Sequence, residues 1–470
     1  MSVANPAVRI QRRSVEQPLG HVGMFVKMFD PPTASPPTPE RIPPTNPVPE
    51  VMLAAGLLNS VATPHTWETQ LLHNLVVPTW DNRPGGLTFF TIDQPNNPTA
   101  SGTFPGPTVR VPRGAIFHAD TVGKGPPPHT IHWHGIEPTP MNDGVGHCSM
   151  ELGSYTYQWQ PNFMGFYFYH CHRNTVQHFE FGLYGALLIG APDAWFASLN
   201  PNGTLSNIPI GAGRDGKFRV AANLKGTPLA KLQKNFNPLT APDPERQFPT
   251  DPHAHTVPYD VEALWVVDDR DSVWSDMASD ARAFFPGHGG APGQDDLWER
   301  GLFNDHNSDY WFVTGAPVVP LDGVKRLGNT GRIAGGAVIP PGLNGGIGTN
   351  GGRPTQVSID ARVNDTILIR VLDAAYNYAR VTFPADVVII AFDGRALGIP
   401  PFGNYNHSFL LKKGTPILLS TARRFDCLMK PTRPMNSFAQ VEFLDTQGRA
   451  ATASALGRVR QTARIPIRIR

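Results

Sequence analysis

Proline or glycine takes about one position in five of this chain, 49 and 46 respectively among 470 residues. Average proteins hold roughly 12% of the two together. Proline fixes φ and removes a backbone donor, and glycine is the residue of tight turns, so long helices are largely excluded. Short strands joined by turns are the architecture that remains. Hydrophobic residues at 40% and aromatics at 10% supply a core, and the length suits two to three domains.

Several function classes fall away on charge and cysteine content. Lys+Arg number 40 against 38 Asp+Glu, a formal charge of +2, which gives no basis for a nucleic-acid partner. The three cysteines, Cys148, Cys171 and Cys427, allow one disulfide at most, so a disulfide scaffold is excluded. No stretch approaches the ~18–20 apolar residues of a membrane span. Arg12 and Arg13 are not followed by an apolar run, so no signal peptide is visible. The compartment stays open: periplasmic or extracellular if a signal has been removed, otherwise cytoplasmic.

Along the chain, residues 1–60 read as an N-terminal arm, with nine prolines in 31–49 that forbid a helix or inner strand. Residues 61–192 read as a first β domain, although 51–100 give no clear elements. Within it, a strand is expected over Thr108–Val111, another from Ala115, and further strands in SYTYQWQP (154–161), FYFYHCH (166–172) and GALLIGAP (185–192). Residues 193–257 look like a loop-rich linker or insertion, with only FRVAANL (218–224) strand-like. A second β series spans 258–450: VEALWVVDD (261–269), DYWFVTG (309–315), TILIRVLDA (366–374), DVVIIAFDG (386–394) and TPILLSTARRFDCLM (415–429). A stretch with nine glycines, 331–352, reads as a surface insertion within it. The basic segment 451–470 is expected to be a flexible tail or a contact with a partner subunit.

Six of the sixteen histidines fall in two short clusters. The first is His129-Thr-Ile-His132-Trp-His134-Gly135. The second is His170-Cys171-His172, followed by His178. On a strand, residues two apart share a face and the one between points away. His132 and His134 therefore project together, as do His170 and His172, while Cys171 faces the other way. Cys171 with His129 and His178 makes the thiolate–diimidazole set of a blue-copper site, and Leu183 is placed at its weak axial position without coordinating. A leucine there implies a relatively high potential, because no axial donor stabilises oxidised copper. The four remaining imidazoles suit copper that binds oxygen or a small anion, one peptide away from the thiolate. Zinc would not need a lone cysteine turned away from the histidines. Among the other histidines, His253-Ala-His255 reads as a solvated loop, His147 beside Cys148 as structural, and His407 and Cys427 as structural parts of the second domain.

At these residues the sequence resembles the multicopper oxidases, the laccase-like proteins of the cupredoxin superfamily. TFPGPTVRVPRG (103–114) is similar to the opening strand of that family's first domain, and HWHG (132–135) to its first histidine motif. The stretch 143–172 follows the first-domain layout up to the second H-x-H. VTGAPVVP (313–320), TILIRVLDAA (366–375), AFDGRAL (391–397) and ARRFDCLM (422–429) resemble its copper-free second domain. The resemblance implies an all-β fold of tandem cupredoxin-like Greek-key β-sandwich domains with long loops and insertions. It implies copper as cofactor, with type 1 and type 2/type 3 centres. It also places Asp143 where the family has a carboxylate near the water channel, a candidate catalytic group that supplies or orients protons.

The sequence departs from the three-domain pattern of that family. There the type 1 cysteine lies in the last domain, whereas here Cys171 and the H-x-x-H-x-H of 129–134 sit on the first-domain scaffold. Two residues are added between Cys171 and His178. The family cluster uses eight histidines, four from each of two domains, and this chain shows four. A homo-oligomer with the cluster at a subunit interface is therefore expected, each copy giving His132 to the type 2 copper and His134, His170 and His172 to the type 3 pair. The function expected is oxidation of a small-molecule or metal-ion reductant coupled to reduction of dioxygen. Two alternatives stand beside it: a nitrite-reductase-like copper enzyme, and a copper-binding electron-transfer or structural protein with no complete cluster. His172 and HWHG favour the oxidase, and dioxygen consumption separates it from the last alternative. Methionines are only ten and scattered, which argues against a methionine-lined cuprous site.

Overall fold

The computed structural model describes residues 65–93, 104–112, 116–122, 130–136, 142–145, 154–159, 161, 163–172, 175–190, 217–235, 255–277, 306–334, 357–398, 407–445 and 457–470. The arm 1–60, most of the glycine-rich stretch 331–352, and His129, His147, Cys148 and His253 lie outside these residues.

Eight strands build the first domain: β1 (His65–Val77), β2 (Leu87–Asp93), β3 (Gly106–Pro112), β4 (Ile116–Val122), β5 (His132–His134), β6 (Ser154–Trp159), β7 (Gly165–His170) and β8 (Tyr184–Gly190). They form two four-stranded sheets in the orders β2-β1-β4-β6 and β3-β8-β7-β5. Alternate residues fill the space between the sheets. Phe117 and Ala119 of β4 and Tyr157 and Trp159 of β6 meet Val109, Val111, Trp133, Tyr167, Tyr169, Leu187 and Ile189 of the other sheet. The intervening residues Phe166, Phe168, Ala186 and Leu188 turn the opposite way, into a cluster with Leu264, Val266, Phe312 and Leu372 of the second domain. The sheet β3-β8-β7-β5 is thus buried on both faces. That is why GFYFYH shows no polar face, since every residue of β7 is buried. Each large apolar side chain so enclosed contributes about 1.5–3 kcal/mol.

The second domain begins with β9 (Phe218–Ala221), β10 (Lys234–Asn235) and β11 (His255–Tyr259), a small sheet ordered β10-β11-β9. It packs Val220, Val257 and Tyr259 against Leu368, Val388, Ile390 and Leu428. Part of the stretch expected as a linker is therefore a layer of this domain. Its body holds β12 (Val261–Arg270), β13 (Tyr310–Val313), β14 (Ala316–Pro320), β15 (Asn329–Ile333), β16 (Ile359–Ala361), β17 (Ile367–Asp373) and β18 (Tyr378–Thr382). It continues with β19 (Val387–Phe392), β20 (Arg395–Ala396), β21 (Phe409–Leu411), β22 (Pro416–Leu419), β23 (Arg424–Met429), β24 (Met435–Leu444) and β25 (Val459–Ile469). The hydrogen-bonded path runs β20-β19-β23-β17-β12-β13-β14-β15-β25-β24-β18-β22, with β16 on β25 and β21 on β19.

Two expectations are corrected here. TPILLSTARRFDCLM is two strands, β22 and β23, at distant points of that path. Ala422 at φ 69° turns the chain between them and donates its N–H to Asp373 O at 2.7 Å. The basic segment expected to be a tail is β25, paired with β24 along its length. Its Ile465, Ile467 and Ile469 enter the main core of the domain, while Arg468 between them points to solvent.

The domain junction is polar as well as apolar. Glu262, fully buried, binds Arg110 of β3 on one side and Arg370 Nε at 2.7 Å on the other, and Arg370 reaches Asp426 at 2.7 Å. Gly165 of β7 lies where an added Cβ would sit 2.1 Å from Gly394 O, so only glycine lets β7 approach that turn.

Candidate metal centre

The two histidine clusters meet because β5 and β7 pair antiparallel, with His132 opposite His170 and His134 opposite Phe168. The pleat sends Trp133 and Tyr169 into the core and leaves the histidines on the other face. β7 ends at His170, where Cys171 N–H turns to Leu183 O at 3.1 Å, yet the alternation persists to His172. The His172 ring centroid lies 5.0 Å from that of His132 and 5.8 Å from that of His170, and His172 N–H donates to Thr130 Oγ1. Ligand atoms of His132, His134 and His170 all fall within 4.8 Å of one another. This is the one such group of metal-binding side chains among the described residues.

The surroundings orient the rings. His132 Nδ1 meets the carbonyl oxygen of Asp143 at 2.6 Å and its carboxylate at 3.0 Å. A proton on Nδ1 satisfies both and leaves Nε2 with its lone pair. His170 Nδ1 likewise meets Cys171 O at 2.7 Å, and its Nε2 lies 3.1 Å from His134 Nδ1. Burial pushes the His134 imidazolium down to about 3, helped by the Arg424 cation and by His132 and His172. Burial, then His132, also lowers His170 and His172. The imidazoles of His134, His170 and His172 are therefore neutral donors at neutral pH, which suits a metal cation in their midst.

On the other face, Cys171 is fully buried and its Sγ lies 3.1 Å from His178 Nδ1. His178 sits on helix α1 (Thr175–Glu180) and is itself fully buried. Its carbonyl accepts the N–H of Leu183 at 2.9 Å, and the Leu183 carbonyl accepts the N–H of Cys171. Leu183, 1% exposed, shares one apolar cluster with Cys171. The structure thus brings together Cys171, His178 and Leu183, and separately His132, His134, His170 and His172 with Asp143. His255 is apart from both, on β11 with Nδ1 3.0 Å from Gln233 Nε2. His407 is exposed, and Cys427 lies in the core of the second domain.

Several supporting residues escaped the sequence reading. Phe168 stacks on His134 with centroids 4.4 Å apart, and Arg424 of the second domain stands over Phe168 at 5.2 Å. Arg424 is held by Phe166 O at 3.2 Å and Ala422 O at 2.7 Å. Gly135, at φ 88°, leaves room for that guanidinium, since a Cβ would sit 2.7 Å from its Nη2. Gly144, at φ 71°, allows the Asp143 loop to lie against β5. The glycines stand in motifs visible in the sequence, whereas nothing local marks Arg424.

Comparison with known proteins accords with this geometry. The multicopper oxidase family model matches residues 91–194, the stretch that carries both histidine clusters, Cys171, His178 and Leu183. The chain thus carries a stretch similar to a multicopper oxidase domain. It is similar to the L-ascorbate oxidase of Cucumis sativus, 37% identical over 103 residues, covering 20% of this chain and 17% of that protein. It is also similar to a laccase of Aspergillus fumigatus, 38% identical over 95 residues, with coverage of 19% and 16%. The matching stretch spans about a sixth of the length of these relatives. A blue copper oxidase from Nitrosomonas europaea is among the similar solved structures, with 17% identity, a TM-score of 0.43, and coverage of 86% of this chain and 85% of that one.

Proposed function

We propose that the chain is a copper-dependent oxidase that takes single electrons from a small-molecule or metal-ion reductant and passes them to dioxygen. The observation that carries this reading is the back-to-back arrangement at the end of β7. A buried thiol with an imidazole at 3.1 Å lies on one side of the backbone, and a gathered set of imidazoles lies on the other. Copper bound there supplies one-electron redox chemistry at the thiolate and oxygen binding at the imidazoles. Cys171 and His178 hold the first site, with Leu183 as its non-coordinating neighbour, and His129 is proposed as its remaining ligand. His132, His134, His170 and His172 hold the second.

The chain's own groups divide the work. Cys171 is linked to His170 by a peptide bond and by the contact from His170 Nδ1 to Cys171 O, so the two sites share a short covalent path. Asp143 orients His132 through its carbonyl. Its carboxylate, half-buried at 3.0 Å from the same nitrogen, would hold a proton between solvent and the imidazole face. Four imidazoles are half of what the family's cluster uses. A second copy of this chain across a two-fold axis, presenting the same face, supplies the other half.

The copper content of fully loaded protein, measured with its mass in solution, tests this. A shared cluster gives two type 1 coppers and three cluster coppers over two chains, about 2.5 per chain. A ratio near 1 reduces the function to electron transfer at Cys171. A ratio near 2 points to one thiolate-bound and one interface copper per chain, the nitrite-reductase-like arrangement.

A further inference from the structure

We propose that electrons reach the Cys171 site through the second domain, across an aromatic face formed by Tyr376 and Trp274, and not by contact of a reductant with His178. This rests on reading Cys171 and His178 as a copper site. His178 and Cys171 are both 0% exposed, and no small molecule touches either without displacing protein. The buried cluster that contains Cys171 takes one member from the second domain. Trp274, on helix α2 (Ser272–Met277), joins the same buried cluster as Cys171, Phe181 and Leu183.

Tyr376, just beyond β17, is the member of this group that keeps part of its surface in solvent. Its ring centroid lies 6.0 Å from Trp274, 4.8 Å from His306 and 6.4 Å from Phe179. Two lines of rings lead inward from it. One passes to Trp274 and the Cys171 cluster. The other passes to Phe179, which follows His178 in the chain and lies 5.5 Å from the His170 ring.

These rings are held firmly. Tyr376 N–H donates to Asp269 Oδ1 at 2.8 Å, and His306 Nε2 lies 3.1 Å from Glu180 Oε2 on α1. Asp271 Oδ1 accepts N–H groups of Val273 and Trp274 at the start of α2. A fixed row of rings between a partly exposed tyrosine and a buried cysteine is what an outer-sphere donor requires. A phenol resting on Tyr376 would give up one electron and its hydroxyl proton would go to water, while Tyr376 and Trp274 would carry that electron toward a one-electron acceptor such as copper held by Cys171 and His178. No bond to the protein forms or breaks.

The test uses copper-loaded full-length chain mixed anaerobically with hydroquinone, following the loss of thiolate-to-copper absorption. Tyr376→Leu and Trp274→Leu are expected to slow bleaching at least about tenfold with the starting absorption intact, and Tyr376→Phe to stay within about twofold. A metal-free measurement accompanies it: iodoacetamide labelling of Cys171 in apoprotein, read by peptide mass with Cys427 as reference. Trp274→Ala is expected to speed Cys171 labelling alone, because it takes a large side chain out of the cluster that encloses the thiol. Wild-type bleaching rates in both leucine variants overturn the proposal, as does Cys171 labelling that Trp274→Ala leaves unchanged. Absence of thiolate-to-copper absorption in the wild-type protein overturns the copper reading itself. That failure shows before any variant is compared.

Discussion

Gly144 and Asp143 offer a way to separate what the backbone and the carboxylate each do for His132. A Cβ at Gly144 would lie 1.9 Å from Ile131 O and 2.3 Å from Ile131 C. Contacts under 3.0 Å are essentially never seen for real Cβ atoms, so the 142–145 loop must retreat by about 1.1 Å. Asp143 moves with it, and its carbonyl contact to His132 Nδ1, now 2.6 Å, is lost together with the 3.0 Å carboxylate contact. The left-handed φ of 71° adds about 1–2 kcal/mol of strain for alanine. Asp143→Ala, by contrast, removes the carboxylate and keeps the carbonyl. Loss of a partner that orients a metal-binding histidine lowers affinity by roughly 10–100-fold, about 1.4–2.7 kcal/mol. Gly144→Ala is therefore expected near the upper end of that range and Asp143→Ala near the lower. Competition titration of copper against a chelator, with urea unfolding as the stability control, measures both. A larger affinity loss in Asp143→Ala than in Gly144→Ala would refute the assignment of the carbonyl as the main orienting group.

Two further outcomes test the domain junction. Glu262→Gln leaves Arg110 buried without its anion, and breaking such a pair is expected to cost about 3–5 kcal/mol in urea unfolding; a loss under about 1 kcal/mol removes the junction role of this pair. Burial lowers His306, but Glu180, Asp269 and Asp271 together raise it from 6.5 to about 9, so it gives stability that is full below pH 6.5 and is lost as pH rises through 9. Unfolding measured at pH 6 and pH 9.5 should show this decline in wild type and a much flatter one in His306→Gln, and parallel profiles would sink the assignment.

The histidine face of the site was legible because the pleat obeys a period of two whatever the tertiary context. His132, His134, His170 and His172 converge as that rule requires, even though the strand ends before His172. The same rule operates in RIPIRIR at the chain's end, where isoleucines alternate inward, although the arginines between them give the segment the composition of a solvated tail. The break inside TPILLSTARRFDCLM carries neither glycine nor proline. Its turn is set by Ala422 bonding to Asp373, a contact between distant parts of the chain. Arg424 shows the same limit, since its effect on His134 arises only when two domains dock. Asp143 lies beside His132, and its closest contact there is made by the backbone oxygen, which no side-chain identity signals.

The docking explains why a second domain, in which no metal-binding group occurs among the described residues, matters to the first. β7 carries His170 at its end and is buried on both faces, one toward the Cys171 core and the other toward the second domain. Along that second face, Gly165 touches the Gly394 turn, Phe166 O accepts Arg424 Nε, and Phe168 lies between Arg424 and the His134 ring. Removing the neighbour would expose Phe166, Phe168 and Leu188 together and release the strand that sets the His132–His170 register. The second domain thus acts on the metal site by holding β7. Its Arg424 adds a fixed positive charge that favours the neutral imidazole at His134, the form that binds a cation.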